Sequence, residues 1–289
     1  MTRRLIITAD DFGMAPEVNE AVEEAHRCGV LTCASLVVTG DAAADAVARA
    51  RRMPGLGVGL HLALVSAPPA LDPMQVPALM DRKGRGLGGH PGRTGALIAV
   101  SRDARRQARA EIRAQLDLFR KTGLLLDHVD GHWHFHQHPV VMDALVELAP
   151  EYGIRAVRVP YEAPLPSWQA AGREGLLRRT ADAAAHRPLA ARMRRVLRRA
   201  GIAHNDWFFG KADGGAVTRG RLLGFIAHLP PGTTEIGLHP ATRPWTGTHA
   251  PPTHWRTDEE FAALVDPDVI AACRALQRSL VRFGDLSKG

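Results

Sequence analysis

The chain is poor in cysteine, in aromatic side chains and in long apolar runs, and each shortage excludes something. Its three cysteines, Cys28, Cys33 and Cys273, are odd in number and form no Cys-x-x-Cys pair. That removes a disulfide framework and a cysteine zinc site, and predicts buried thiols. No stretch approaches the roughly 20 consecutive apolar residues of a membrane span. No apolar signal core follows Arg3 and Arg4, so a cytoplasmic location is expected. Aromatic residues make up only 5%, few for a base-stacking surface, and no nucleic-acid module is recognisable, so no nucleic-acid partner is expected. The net charge of +7 equally fits contact with an anionic membrane surface or a plain richness in arginine. Oligomeric state is not legible.

What is present is an ordinary globular composition, 45% hydrophobic and 23% charged over 289 residues, enough for one large domain or two small ones, and the expectation is one domain over 1–289. Apolar β-type runs at 4–9, 34–39, 57–64, 125–132, 154–160 and 234–239 alternate with helical spacing at 15–28, 41–53, 102–121, 139–152 and 258–283. Such alternation predicts a parallel sheet, with helix ends marked by Gly29, Pro54 and Gly123. The runs end in Asp10 and Asp11, His61, His132, Arg158 and His239. In a parallel barrel the C-terminal strand ends share one face, where catalytic residues gather. Eight clean repeats are not visible, so the expected fold is α/β, a distorted or incomplete (β/α) barrel with its active site at those ends.

Residues 66–100, rich in Pro and Gly, read as a long loop at the barrel mouth. Residues 165–200 read as an arginine-rich helical insertion. It is either an amphipathic surface for an anionic membrane or lipid-like substrate, or a solvated arginine face over a core stripe.

Two adjacent carboxylates, Asp10 and Asp11, are unfavourable unless a cation or shared proton relieves them. From Asp127 to His138 the even positions 128, 130, 132, 134, 136 and 138 are all His or Asp, one face of an extended strand. Gly131 permits close approach beside His132. One carboxylate with His61 and His132 makes a three-ligand site for one divalent metal ion, zinc or magnesium foremost among those this donor set accepts. The second carboxylate is then placed to deprotonate water, and His239 to protonate a leaving group. Arg158 either holds that carboxylate by a bidentate contact or lies on the surface. His134 and His136 are candidate substrate contacts, and Trp207 and Phe208, with Trp168 and Phe209, either line an apolar trough or belong to the core.

Thr8–Gly13, Gly59–Leu62, Asp127–His134 and Leu238–Pro240 together resemble the YdjC-like (ChbG-like) carbohydrate deacetylases, in order and over nearly the whole chain. The resemblance implies a distorted barrel and metal-dependent removal of acetyl from an N-acetylated amino sugar. It implies Asp11, His61 and His132 as metal ligands, Asp10 as base and His239 as acid. Residues 16–22, 157–162, 205–210 and 228–232 look most like the hopanoid-associated branch (HpnK), which implies N-acetylglucosaminyl bacteriohopanetetrol as substrate and a peripheral contact with the inner membrane surface. Gly131 and Leu238 stand where chitobiose-type members often carry Ser and Cys. The alternatives are a chitooligosaccharide (diacetylchitobiose) deacetylase, a metal-dependent phosphoesterase and a basic nucleic-acid-binding protein.

Overall fold

The computed structural model describes residues 3–81, 84, 86–246, 249–276 and 280–288. In chain order the elements are β1 (Arg3–Phe12), α1 (Pro16–Cys28), β2 (Cys33–Leu36), α2 (Ala43–Ala50), β3 (Gly57–Leu62), α3 (Pro91–Val100), α4 (Arg102–Lys121) and β4 (Val129–Gly131). They continue as α5 (Pro139–Tyr152), α6 (Pro164–Ala170), α7 (Leu176–Arg199), β5 (Trp207–Phe209), α8 (Arg219–Ala227), β6 (Gly232–Leu238), α9 (Thr257–Leu264) and α10 (Pro267–Ala275). The six strands form one parallel sheet in the order β4-β3-β2-β1-β6-β5. It curls into the incomplete barrel expected from the alternation of runs.

Period-two alternation sorts each strand's side chains. In β1, Leu5, Ile7 and Ala9 join the main apolar core, whereas Ile6 belongs to a separate small cluster with Cys33, Ala156 and Phe283. Thr8 and Asp10, on the same side as Ile6, pair with Glu235 and Arg158. The barrel interior is therefore polar toward its C-terminal end. Register brings its members side by side: His61 pairs with Asp130, and Ala9 with Leu238, one step before Asp10 and His239.

Several expected boundaries are corrected. The run 154–160 is not a strand. It makes single bridges, Val157 to Val129 and Ala156 to Ala203, while the Asn205 side chain bonds both the N–H and the C=O of Val159. This segment spans the open side of the sheet, since Tyr161 C=O accepts from Phe208 N–H on β5, a strand the periodicity did not reveal. Of the run 125–132 only Val129–Gly131 is strand, with Asp127 N–H and His128 C=O adding main-chain bonds to β3. The chain then turns into a 3-10 helix, His132–Gln137, with Trp133 and His134 at φ of 54° and 53°. The supposed six-residue stripe is broken at Gly131.

The expected loop 66–100 ends earlier, because His90 caps α3 and Pro91 starts it; residues 82, 83 and 85 lie outside the described residues. The expected helix 258–283 is two helices, since Asp266 caps α10 by accepting from Asp268 and Val269 N–H ahead of Pro267. Residues 277–279 lie outside the described residues. Cys33 and Cys273 are buried as expected, but Cys28 is exposed.

Candidate active site

The strand ends deliver their polar residues to one cavity of about 680 Å³, lined among others by Asp10, Asp11, His61, His132, His134 and His239. Asp11 terminates β1 with φ of 63°, a left-handed conformation that aspartate tolerates better than most side chains. This turns its carboxylate toward the imidazoles: Oδ1 lies 3.0 Å from His132 Nδ1 and 3.5 Å from His61 Nε2. Burial would raise the Asp11 pKa, but His132, then His61 and His239, hold it well below the usual carboxylate range.

Asp10 points the other way along the strand pleat. Arg158 grips it with two 2.8 Å contacts, Nη1 to Oδ2 and Nη2 to Oδ1. Arg158 is fully buried and also reaches Asp130 at 2.8 Å and Glu235 at 2.7 Å. Burial alone would lower its pKa, and the three carboxylates drive it well above the ordinary value instead. Of the two roles open to Arg158 from the sequence, the structure has the bidentate one. His239 Nε2 lies 4.0 Å from Asp10 Oδ2. Its main-chain N–H bonds buried Glu260 at 2.5 Å, and its ring packs on Trp255 with centroids 4.4 Å apart.

Behind His61 stands Asp130, whose Oδ1 is 2.9 Å from Nδ1. Burial raises the Asp130 pKa, yet Arg158 and His61 bring it well below the ordinary value. Asp130 belongs to the His/Asp run read from the sequence, without a role of its own there, and Glu235 is one that sequence reasoning missed. The signal for Glu235 was its place in a strand, where a buried carboxylate needs a buried partner.

The remaining candidates separate. His134 lines the cavity, and burial together with Arg158 keeps its pKa well below normal, so it stands neutral. His136 does not line the cavity; it is buried, bonded to Arg158 C=O at 2.9 Å, and burial takes its pKa down to about 4. Phe208 is buried too, under the His134 ring at 5.0 Å and the Arg158 guanidinium at 4.9 Å. Trp207 packs near Tyr161 and Arg194 away from the cavity. The aromatic lining comes instead from Trp133 and Trp255.

The Asp11, His61 and His132 donor atoms all lie within 4.8 Å of one another. Asp11 Oδ1 is buried without a hydrogen-bond partner. Two imidazole nitrogens converging on an unsatisfied carboxylate oxygen fit a divalent cation, and Asp130 fixes the far nitrogen of His61.

Fold and site together define an incomplete β/α barrel carrying a carboxylate–imidazole centre at the C-terminal mouth of its sheet. The chain belongs to the YdjC-like protein family, whose pattern matches residues 4–275. A relative from Geobacillus stearothermophilus, named carbohydrate deacetylase, is 30% identical over the full length of both chains. One of the same name from Thermoanaerobacter pseudethanolicus is 27% identical over 93% of this chain and 94% of its own. A third, from Brevibacillus brevis, is 40% identical over 55% of this chain and 60% of its own. A solved Enterococcus faecalis V583 protein, described as a candidate for cellobiose-phosphate cleavage, superposes over 99% of both chains with a TM-score of 0.73 at 22% identity, which bears on the fold alone.

Proposed function

We propose that this protein is a metal-dependent carbohydrate deacetylase that removes the N-acetyl group from an N-acetylglucosamine-containing substrate, N-acetylglucosaminyl bacteriohopanetetrol, and releases acetate. The observation that carries the reaction is the meeting of Asp11, His61 and His132 within 4.8 Å, beside an Asp10 held at both oxygens by Arg158. The names of the full-length relatives support the same chemistry.

Asp11, His61 and His132 would hold the metal, zinc or magnesium. Such an ion supplies Lewis-acid polarisation of the acetamide carbonyl and a more acidic water. Asp10 takes the proton of the attacking water. Arg158 keeps its carboxylate aimed, so little side-chain entropy is lost as the proton moves. His239, across the cavity mouth, gives a proton to the departing amine, its ring held by Trp255 and its backbone by Glu260. Trp133, Trp255, Leu87, Pro251 and Pro252 offer apolar surface for the sugar face and aglycone.

The hopanoid rests on the motifs at 157–162 and 205–210 and on the cavity wall. Asp182 and His186 of the arginine-rich α7 line the cavity, and at the start of that helix Leu176 and Leu177 are exposed beside Arg178. That arrangement suits a peripheral contact with an anionic bilayer holding the substrate. No helix among the described residues is long and apolar enough to cross a membrane. A phosphoesterase is less well supported. Among the described residues lining the cavity the one Lys or Arg is Lys211, and it is paired with Asp182 at 2.6 Å.

The test is acetate release from N-acetylglucosaminyl hopanoid and from diacetylchitobiose, with and without chelator. Chelator-sensitive release from the hopanoid is expected. Release from diacetylchitobiose alone would move the substrate to chitooligosaccharides, and chelator-insensitive release would remove the metal.

A further inference from the structure

Beneath the site the barrel holds a column of polar side chains that the proposed hydrolysis does not use. Asp130, which backs His61, accepts from Ser35 Oγ at 2.8 Å through its other oxygen. Ser35 Oγ lies 3.1 Å from His128 Nε2, and His128 Nδ1 lies 3.1 Å from Asp127 Oδ2. Ser35, His128 and Asp130 are wholly buried.

The protons of this column can be assigned by counting. Asp130 also receives Arg158 at 2.8 Å, so it is an acceptor and Ser35 is the donor. A hydroxyl has one proton, so on its other side Ser35 accepts, and His128 Nε2 donates. At the foot, Asp127 accepts the Gly284 N–H at 2.9 Å and the Cys33 thiol at 3.7 Å. Its Oδ2 also lies 3.1 Å from His128 Nδ1. The column ends on a carboxylate at both ends, Asp130 above and Asp127 below.

Packing is given up to make room for this arrangement. A Cβ on Gly59 would meet the His128 ring at 2.5 Å, and one on Gly57 would meet Asp127 at 2.7 Å. Barrel interiors are ordinarily filled by branched apolar side chains, and a buried polar chain is poor economy for stability alone. Phe283 stacks on His128 with centroids 4.6 Å apart, closing the column from below.

We propose that Ser35, His128 and Asp127 are positioning residues for His61: acting through Asp130, they fix the His61 ring so that Nε2 faces Asp11 and His132, and thereby raise the affinity of the centre for a divalent cation. This rests on the metal reading above. Cys33, Asp127 and His128 also bring donors within 4.8 Å of one another. Cys33 and His128 are engaged with Asp127 and Ser35 in the column, so the three hold no second ion.

The experiment is equilibrium zinc titration of metal-free wild type, Ser35→Ala, Asp127→Asn and the double variant, with kcat and KM for acetate release, after circular dichroism confirms the fold. The wild type should bind one zinc per chain. Ser35→Ala should weaken binding about tenfold, at the low end for residues that act through a metal ligand, and lower kcat with KM unchanged. Asp127→Asn should add nothing in the Ser35→Ala background, because the column is already cut. Asp127→Asn is isosteric and carries the same test should Ser35→Ala not fold. In metal-free protein a hydrogen-bonded His61 imidazole N–H should be visible by NMR and should exchange faster in either variant. Unchanged zinc affinity and exchange, or full additivity, overturns the proposal while the metal reading stands. Two zinc ions per chain, one lost in Cys33→Ala, overturns the assignment of the lower cluster. A wild type that binds no zinc overturns the metal reading itself, and the exchange measurement still decides whether the column orders His61.

Discussion

Arg158 and Asp10 meet in two contacts of 2.8 Å, both side chains almost wholly out of water. One guanidinium therefore holds the carboxylate proposed as base while it also neutralises Asp130 and Glu235.

Arg158→Met should leave three buried carboxylates without their counter-charge and cost about 3–5 kcal/mol of stability. Arg158→Lys keeps the charge but loses the planar two-pronged contact. It should fold and turn over slowly. Chemical unfolding and kcat for the two variants separate the structural from the aiming role.

Asp10→Asn keeps the shape of the side chain and removes its basicity. Acetate release should fall about 10²–10⁴-fold, the range of a lost general base, while zinc titration stays close to wild type. His61→Ala should lose both activity and zinc. Full activity in Asp10→Asn would remove Asp10 as the base.

The metal-free protein should carry a proton on His61. Burial alone would lower its pKa, but the carboxylates of Asp130, Asp10 and Asp11 push it from 6.5 up to about 9. A pKa raised in the folded state means a contribution to stability that is complete below pH 6.5 and lost as the pH rises through about 9. Urea midpoints of the metal-free protein should fall across that window, and the fall should be smaller in His61→Gln. Zinc needs the neutral imidazole, so its binding near neutral pH should release a proton, measurable in weakly buffered solution.

The segment at the barrel mouth is pinned by one buried polar stripe on α4. Gln107 accepts from Ala78 N–H, Glu111 from Ala70 and Leu71 N–H, and Gln115 bonds both main-chain groups of Ala63. That segment supplies Ser66, Asp81, Gly86, Leu87 and Gly89 to the cavity. Glu111→Ala leaves two backbone donors unsatisfied and should cost about 1–3 kcal/mol. KM should rise more than kcat falls, because the residues freed contact substrate and not the reacting atoms. An equal loss in both would point to the metal centre.

Local chemistry made much of this protein legible in advance. Helix ends at Gly29 and before Gly123 follow from where glycine stops a helix, and the α1 and α4 boundaries agree within a residue. The polar residues that close apolar runs pointed to the C-terminal mouth, because an unpaired charge cannot stay buried in a strand. Asp10, Asp11, His61, His132, Arg158 and His239 do meet there. What failed was whatever depended on a partner distant in sequence. Trp207 and Phe208 read in one dimension as either an apolar trough or core, and β5, by pairing with β6, turns Phe208 under Arg158.

The sequence by itself determined which side chains end the strands and so which chemistry gathers at the mouth, because strand polarity and period-two alternation are local properties. Only the tertiary structure decided how 154–161 spans the open side and which carboxylates share Arg158. It also decided that the aromatic wall is Trp133 and Trp255, since register and barrel closure come from contacts between separate segments, such as Arg158 with Glu235 at a separation of 77.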